Sequence, residues 1–383
     1  MLLEFKVGGY YSFKDIQELY LTPYPGTRIK NTKYEDNFSS FKKNRIMKSA
    51  IIFGSNASGK TNIILALERI VDIISNGINL PKDFDVNRLN YDSKSVALEL
   101  SIITNSEDIF NYSIEFNQNN IIYEKLEKND TIIYKFNNNT LESELNILSQ
   151  DILKIFSIRS TDIFLKKLKD FNIKEIEVFI EEIKNIKIKR DNILNSEAKE
   201  ALQHIPQNQK SILEKNRIKV VSLLKLLDYT ISDFSFEKIG NLNEEILYQM
   251  YILRTAKNIK FYLGNESEGI KKIMNLIYDL LDIYNGKTII IDELDSSIST
   301  QSLIKIFNDF VNVKENINGQ LIVTSHNLFL FNNNIFEPQQ IYIVNKKEDL
   351  TSELYSLAEF NIRSEKENLY HDFLKGKFGG MNG

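Results

Sequence analysis

A chain of 383 residues with 42% hydrophobic content is long enough for one large or two modest domains around a sizeable core. A formal net charge of −4 gives no bulk attraction for nucleic acid, although a local basic face is compatible with it. The absence of cysteine excludes disulfides and thiolate metal sites, and the three histidines, His204, His326 and His371, are too dispersed to predict structural zinc. No apolar run approaches membrane-spanning length, and the first residues lack the basic and apolar segments of a secretory signal, so a cytoplasmic protein without a membrane partner is expected.

In chain order, residues 2–7 read as a strand. Lys48-Ser49-Ala50-Ile51-Ile52-Phe53 reads as a second, short and buried, leading into Gly54-Ser55-Asn56-Ala57-Ser58-Gly59-Lys60-Thr61. That run fits G-x-x-x-x-G-K-[ST], the P-loop. Its glycines let the backbone curl so that N–H groups point at phosphate oxygens. Lys60 would reach the β- and γ-phosphates of a nucleotide triphosphate, and the Thr61 hydroxyl would ligate Mg²⁺. The apolar residues Ile63, Ala66, Leu67, Ile70, Val71 and Ile74 then recur at helical spacing up to Asn76-Gly77.

After a largely polar connection, residues 95–103, 109–116, 120–126 and 131–136 read as an antiparallel meander separated by Asn- and Asp-rich turns. From about 145 the period becomes helical, with shared faces at Ile152, Ile155 and Phe156, at Ile176, Phe179, Ile180 and Ile183, and at Ile218, Val221, Leu224 and Leu227. This stretch reads as a helical lobe packed on the rest, as a docking surface for a partner, or as both. The expected division is 1–144 with the P-loop and meander, 145–235 as a helical insertion, and 236–383 completing the first part.

Three pieces of the last third carry chemistry. Asn265-Glu266-Ser267-Glu268-Gly269 precedes an apolar-periodic helix through Leu281, and a Ser and a Gly at a helix start suit an anion, or merely a cap. Thr288-Ile289-Ile290-Ile291-Asp292-Glu293 is a buried-type strand ending in two carboxylates, a Walker B arrangement. Asp292 would hold Mg²⁺, and Glu293 would act as general base on the attacking water. Leu321-Ile322-Val323-Thr324-Ser325-His326 ends in an imidazole suited to sensing a γ-phosphate.

The order of P-loop, helical lobe, Ser-x-Gly helix, Asp-Glu strand and His strand resembles the ABC-type ATPases, which include the SMC proteins. The resemblance implies an α/β fold: an ABC-type P-loop NTPase with a mixed central sheet, an antiparallel β subdomain and an inserted helical lobe. It also implies two ATP molecules held between head-to-tail protomers in a homodimer or higher oligomer. The stretch Gly54, Ser55, Asn56, Ala57, Ser58, Gly59, Lys60, Thr61 and Asn62 would bind nucleotide. Ser267 and Gly269 would act on the partner's nucleotide, and Asp295 would lie in the dimer-crossing loop. Glu293, His326 and Lys60 would be the catalytic groups.

The chain is more closely similar to the bacterial abortive-infection and anti-phage ATPases, the RloA-like and PARIS AriA-like group. The matching pieces include Tyr11-Ser12-Phe13-Lys14, Glu266 to Gly269, Ser352-Glu353-Leu354-Tyr355-Ser356-Leu357 and Phe373-Leu374-Lys375-Gly376-Lys377-Phe378-Gly379. Departures are Ile270 in place of the usual Thr, Ser299-Thr300 in place of His-Pro, and Asn327 in place of Asp. By position, Phe13 and Lys14 are candidates for contact with the adenine. This likeness implies a defence ATPase acting with a separate effector, such as a nuclease of Toprim type, because the stretch after His326 is too short to hold one. Nucleic acid is a further candidate partner. The alternative, an SMC-like DNA repair or DNA-binding ATPase, calls for long heptad arms that the sequence lacks.

Overall fold

The computed structural model describes residues 1–42, 44–85, 94–137, 140–144, 161–169, 171–190, 202, 204–242, 245–255, 259–360 and 369–379. Its centre is a six-stranded sheet in the order Ile186–Lys189, Thr288–Ile291, Gln320–Ser325, Ser49–Phe53, Ile341–Lys346, Ser352–Ser356. The first five strands are mutually parallel and the sixth pairs antiparallel with Ile341–Lys346. A sheet covered on both faces requires continuous apolar strands, and Thr288–Ile291, Gln320–Ser325 and Ser49–Phe53 are buried at every position.

Alternation along these strands divides the interior in two. Ala50, Ile52, Ile290, Ile322, Tyr342 and Val344 face one apolar core, with the P-loop helix Lys60–Asn76. Ile51, Phe53, Ile289, Ile291, Leu321, Val323 and Ile343 face the other, with the helices Glu268–Asn275, Ile277–Ile283 and Thr300–Ile306. The period of two sends successive side chains to opposite faces.

The expected meander is present, and it is part of a larger antiparallel sheet. Leu2–Gly8 and Gln17–Tyr20 join Val96–Ile103, Ile109–Phe116, Ile121–Lys128, Thr131–Asn137 and Thr140–Glu142 in seven strands. Their apolar face closes over the P-loop helix. The fold is therefore α/β, with a mixed central sheet, an antiparallel β subdomain and inserted helices.

Residues 145–235 contain more than a helical lobe. Phe164–Lys169 and Lys174–Ile183 pack in the first core, whereas Gln207–Lys215 and Arg217–Leu227 contribute to the second. Between them Ile186–Lys189 pairs with Thr288–Ile291 and extends the central sheet. The proposed face at 152–156 lies outside the described residues. The helix expected from 270 to 281 is divided at Leu276 into Glu268–Asn275 and Ile277–Ile283.

Candidate nucleotide site

The P-loop leaves the carboxyl end of Ser49–Phe53 and enters Lys60–Asn76 at the middle of the parallel sheet. Two of its glycines are required by shape. A Cβ on Gly54 would stand 2.4 Å from Ser58 Oγ and 2.5 Å from the Val344 carbonyl oxygen. Gly59 has φ +113°, and a Cβ there would stand 2.5 Å from Ser352 Oγ. Ala57 also adopts a left-handed conformation, with φ +58°. Lys60 is buried, and its ammonium donates to the carbonyls of Gly54 (2.7 Å) and Ser55 (2.9 Å). Burial lowers its pKa to about 8, and the carboxylates of Glu293, Asp292 and Asp295 act in the opposite direction.

The next two core strands bring their ends to the same place. Thr61 Oγ1 donates to Asp292 Oδ2 at 3.0 Å. Thr324 donates through its hydroxyl to Asp292 Oδ1 and accepts from the Glu293 backbone N–H at 2.8 Å. Glu293 itself has φ +54°, uncommon for a residue with a Cβ. Its carboxylate meets His326 Nε2 at 3.2 Å, and the His326 backbone N–H donates to Asp295 Oδ2 at 3.0 Å. Thr324 thus holds the Walker B carboxylate and the backbone of Glu293 at once.

A cavity of about 490 Å³ is lined by Asn56, Ala57, Ser58, Gly59, Lys60, Thr61, Asn62, Glu293 and His326, together with Ser12, Lys346 and Leu350. Gly54, Ser55, Asp292 and Asp295 stand behind these residues, bonded to them as described. Ser267 and Gly269 take no part in the lining. Ser267 caps Glu268–Asn275, accepting from the Ile270 backbone N–H at 3.4 Å. The preceding Glu266 is buried and held by one arm of a guanidinium fork: Arg254 Nη2 lies 2.8 and 2.6 Å from its two oxygens, while the other arm, Arg254 Nη1, donates to Asp228 at 2.6 Å.

The expected adenine contact is corrected in part. Phe13 is fully buried in the first core, because Tyr10 and Phe13 pair in a tight turn that directs the ring inward. Lys14 is exposed and does not line the cavity. The residue of that turn that does is Ser12. Its hydroxyl accepts from Asn62 Nδ2 at 2.7 Å and from Ser352 Oγ at 2.7 Å, so the turn and the distant Ser352 together brace the loop. Both serines fall in stretches that carry the family likeness, Tyr11–Lys14 and Ser352–Leu357, although the sequence assigns neither a role in the site.

The site suits a magnesium nucleotide. The N–H groups of the loop and the start of a 17-residue helix form an anion cradle. Ser58 Oγ is buried with no hydrogen-bond partner among the described residues, an orphaned donor inside that cradle. Thr61 and Asp292 are oxygen ligands, the type a hard cation prefers. No group of three or more His, Asp or Glu able to hold a metal alone occurs among the described residues. Mg²⁺ usually takes one or two carboxylates plus substrate phosphates.

Comparison with known proteins gives one family. The family described as "AAA domain, putative AbiEii toxin, Type IV TA system" matches residues 49–332, well over half of the chain. Among solved structures the chain is similar to an Smc head bound to the C-winged helix domain of ScpA, at 12% identity and a TM-score of 0.49, covering 93% of this chain and 97% of that one. An Smc head with a coiled coil and joint from Pyrococcus yayanosii is 11% identical with a TM-score of 0.46, covering 98% and 99%. The recombination mediator protein RecF is 11% identical with a TM-score of 0.37, covering 92% and 98%. No curated protein matches the chain. Among the described residues no helix is long and apolar enough to cross a membrane.

Proposed function

The chain belongs to the AAA-domain family whose match spans residues 49–332, and from that premise we propose that it is an ATP-driven dimerisation switch serving a defence system. The observation that carries this reading is the composition of the cavity. The P-loop, Glu293 and His326 line it, while Ser267 and Gly269 stand on a capped helix end elsewhere. The site is half of a pair, completed by the Ser267–Gly269 end of a second copy.

In this reading, Lys60 exchanges the carbonyls of Gly54 and Ser55 for phosphate oxygens, and the orphaned Ser58 hydroxyl gains an acceptor. Thr61 and Asp292 would hold Mg²⁺, which when bound neutralises phosphate charge and polarises the γ-phosphoryl group. Glu293 takes a proton from water as the water oxygen bonds to the γ-phosphorus. The bond from that phosphorus to the β–γ bridging oxygen breaks, giving ADP and phosphate. His326, oriented by Glu293 and by the Asp295 contact of its backbone, senses the γ-phosphate. An effector in trans, of nuclease type, is held or released according to which state it binds better.

The test is the mass of Glu293→Gln in solution with and without ATP and Mg²⁺. ATP should double the mass, and removing Mg²⁺ should reverse it. Saturating nucleotide binding with an unchanged monomer mass would sink the sandwich. For the defence role, cells carrying the gene with its neighbours should lose phage protection when Lys60→Ala is introduced. Protection retained by that variant would count against it. Tight, salt-sensitive duplex binding by the purified protein would favour the DNA-binding alternative instead.

A further inference from the structure

Among the buried ammonium groups that the chemistry above does not use, that of Lys272 meets the loop after the Walker B strand. Lys272, in the second turn of Glu268–Asn275, is 1% exposed. Its Nζ donates to the carbonyl oxygens of Glu293 (2.9 Å) and Ser296 (2.7 Å) and to the Ser296 hydroxyl. Burial lowers its pKa to about 8, opposed by the facing carboxylates of Asp295 and Glu293. An ammonium taken from water is costly unless its donors are satisfied, and here all three are spent on one loop.

That loop is strained. Glu293 and Ser297 have φ of +54° and +66°. Conformations of this kind are unfavourable for residues with a Cβ and persist only where the surroundings enforce them. The helix carrying Lys272 presses on the same loop at its first turn, where a Cβ on Gly269 would stand 2.9 Å from the Ser297 carbonyl oxygen. The other side of the loop is fixed by Thr324 on the Glu293 N–H and by the His326 N–H on Asp295. Glu293 therefore has its N–H held by its own nucleotide site and its carbonyl held by the Ser267 helix.

We propose that Lys272 is a positioning residue that couples the two nucleotide sites of the dimer. The inference rests on the sandwich reading above. When the Ser267–Gly269 end engages the partner's nucleotide, Lys272 transmits the shift of that helix to the peptide of Glu293. The base of one site is thereby set by occupancy of the other. The two sites share a rigid rod of one helical turn and one buried charge, with two discrete settings of the 293–297 loop as the element both sites bias.

The test compares wild type, Lys272→Met, Lys272→Gln and Lys272→Arg. Each is measured for thermal unfolding, for binding of a fluorescent nucleotide to dilute monomer, and for ATP turnover against concentration. Wild type should hydrolyse with a Hill coefficient clearly above one, near the limit of about two for two sites. Lys272→Met should keep its monomer affinity within about twofold, lose turnover by roughly 5–150-fold, and fall to a Hill coefficient of about one. Lys272→Arg should recover part of both turnover and cooperativity. If Lys272→Met unfolds early, Lys272→Gln, which keeps a neutral donor, decides the matter. A folded neutral variant with unchanged turnover and cooperativity overturns the proposal, as does a wild-type Hill coefficient of one. Failure of the sandwich reading shows separately, as wild type and Glu293→Gln remaining monomeric with ATP.

Discussion

His326 Nε2 lies 3.2 Å from Glu293 Oε1, on side chains that are both partly open to the cavity. A carboxylate only accepts, so the contact requires the proton on Nε2. Replacing His326 by Ala frees Glu293 without changing the P-loop. Turnover should fall about 10²–10⁴-fold while nucleotide affinity stays within a few-fold. Phosphate release and equilibrium nucleotide binding, measured on the same preparation, check the two halves of that statement.

Lys60→Ala should abolish tight nucleotide binding. It removes one charge-assisted partner of the phosphates, worth about 1.5–3 kcal/mol, or roughly 10–100-fold in Kd. It also leaves the Gly54 and Ser55 carbonyls without the ammonium they now accept from. Calorimetric titration with ATP reads the loss directly. An unaltered Kd would remove Lys60 from the site.

Gly54→Ala tests shape rather than charge. Its Cβ would overlap Ser58 Oγ and the Val344 carbonyl, so the loop or the neighbouring strand must shift. Overpacking of this kind costs about 1–3 kcal/mol. Lowered thermal stability should accompany weakened nucleotide binding, because the same displacement disturbs Ser58 and the start of the helix.

Arg254→Ala should destabilise the Ser267 helix end more than Arg254→Ala combined with Glu266→Gln. In the single variant the Glu266 charge stays buried with no fork to balance it, at a cost of about 3–5 kcal/mol. The double variant removes that charge. Burial already raises the pKa of Glu266 against the pull of Arg254. Denaturant unfolding of the two singles and the double gives the coupling directly.

Glu124 offers a pH-dependent test far from nucleotide. It is fully buried between Tyr112 and Tyr134, whose hydroxyls donate to it at 3.2 and 2.8 Å. It also accepts the backbone N–H groups of Phe164 (2.6 Å) and Leu165 (3.1 Å), capping the helix Phe164–Lys169. Burial raises its pKa from 4.5, opposed by those hydrogen bonds. The folded state then holds this proton more tightly than the unfolded chain. Its stabilising effect is complete below the unfolded value and is lost as pH rises through the raised one. Unfolding free energy should decline across that window in wild type, and the decline should shrink in Glu124→Gln.

Much of the nucleotide site was readable because its chemistry is local in sequence. Gly54 to Thr61 forms one loop, and Asp292, Glu293 and His326 each end an apolar run. The supporting groups were not readable for a physical reason. Ser12, Ser352 and Thr324 act through single hydroxyls, which carry no period. Lys272 has the sequence signature of a solvent-facing lysine, and only the packing of its helix on the 293–297 loop reveals its burial. Ile186–Lys189 was hidden because an edge position lets lysine alternate with isoleucine, leaving a polar-looking run among helices. Phe13 was read by its position near the P-loop, whereas the turn at Tyr10 decided where its ring points.

The brace formed by Ser12 and Ser352 sets a condition on how the protein is made. The two hydroxyls meet at 2.7 Å across a sequence separation of 340 residues. A ribosome adding about 5–20 residues per second needs on the order of tens of seconds between them. For most of that interval the P-loop has been synthesised but lacks one of its braces. Nascent chains interrupted before Ser352 would expose the loop without its brace, so nucleotide capture should be a property of finished molecules and not of those still being translated.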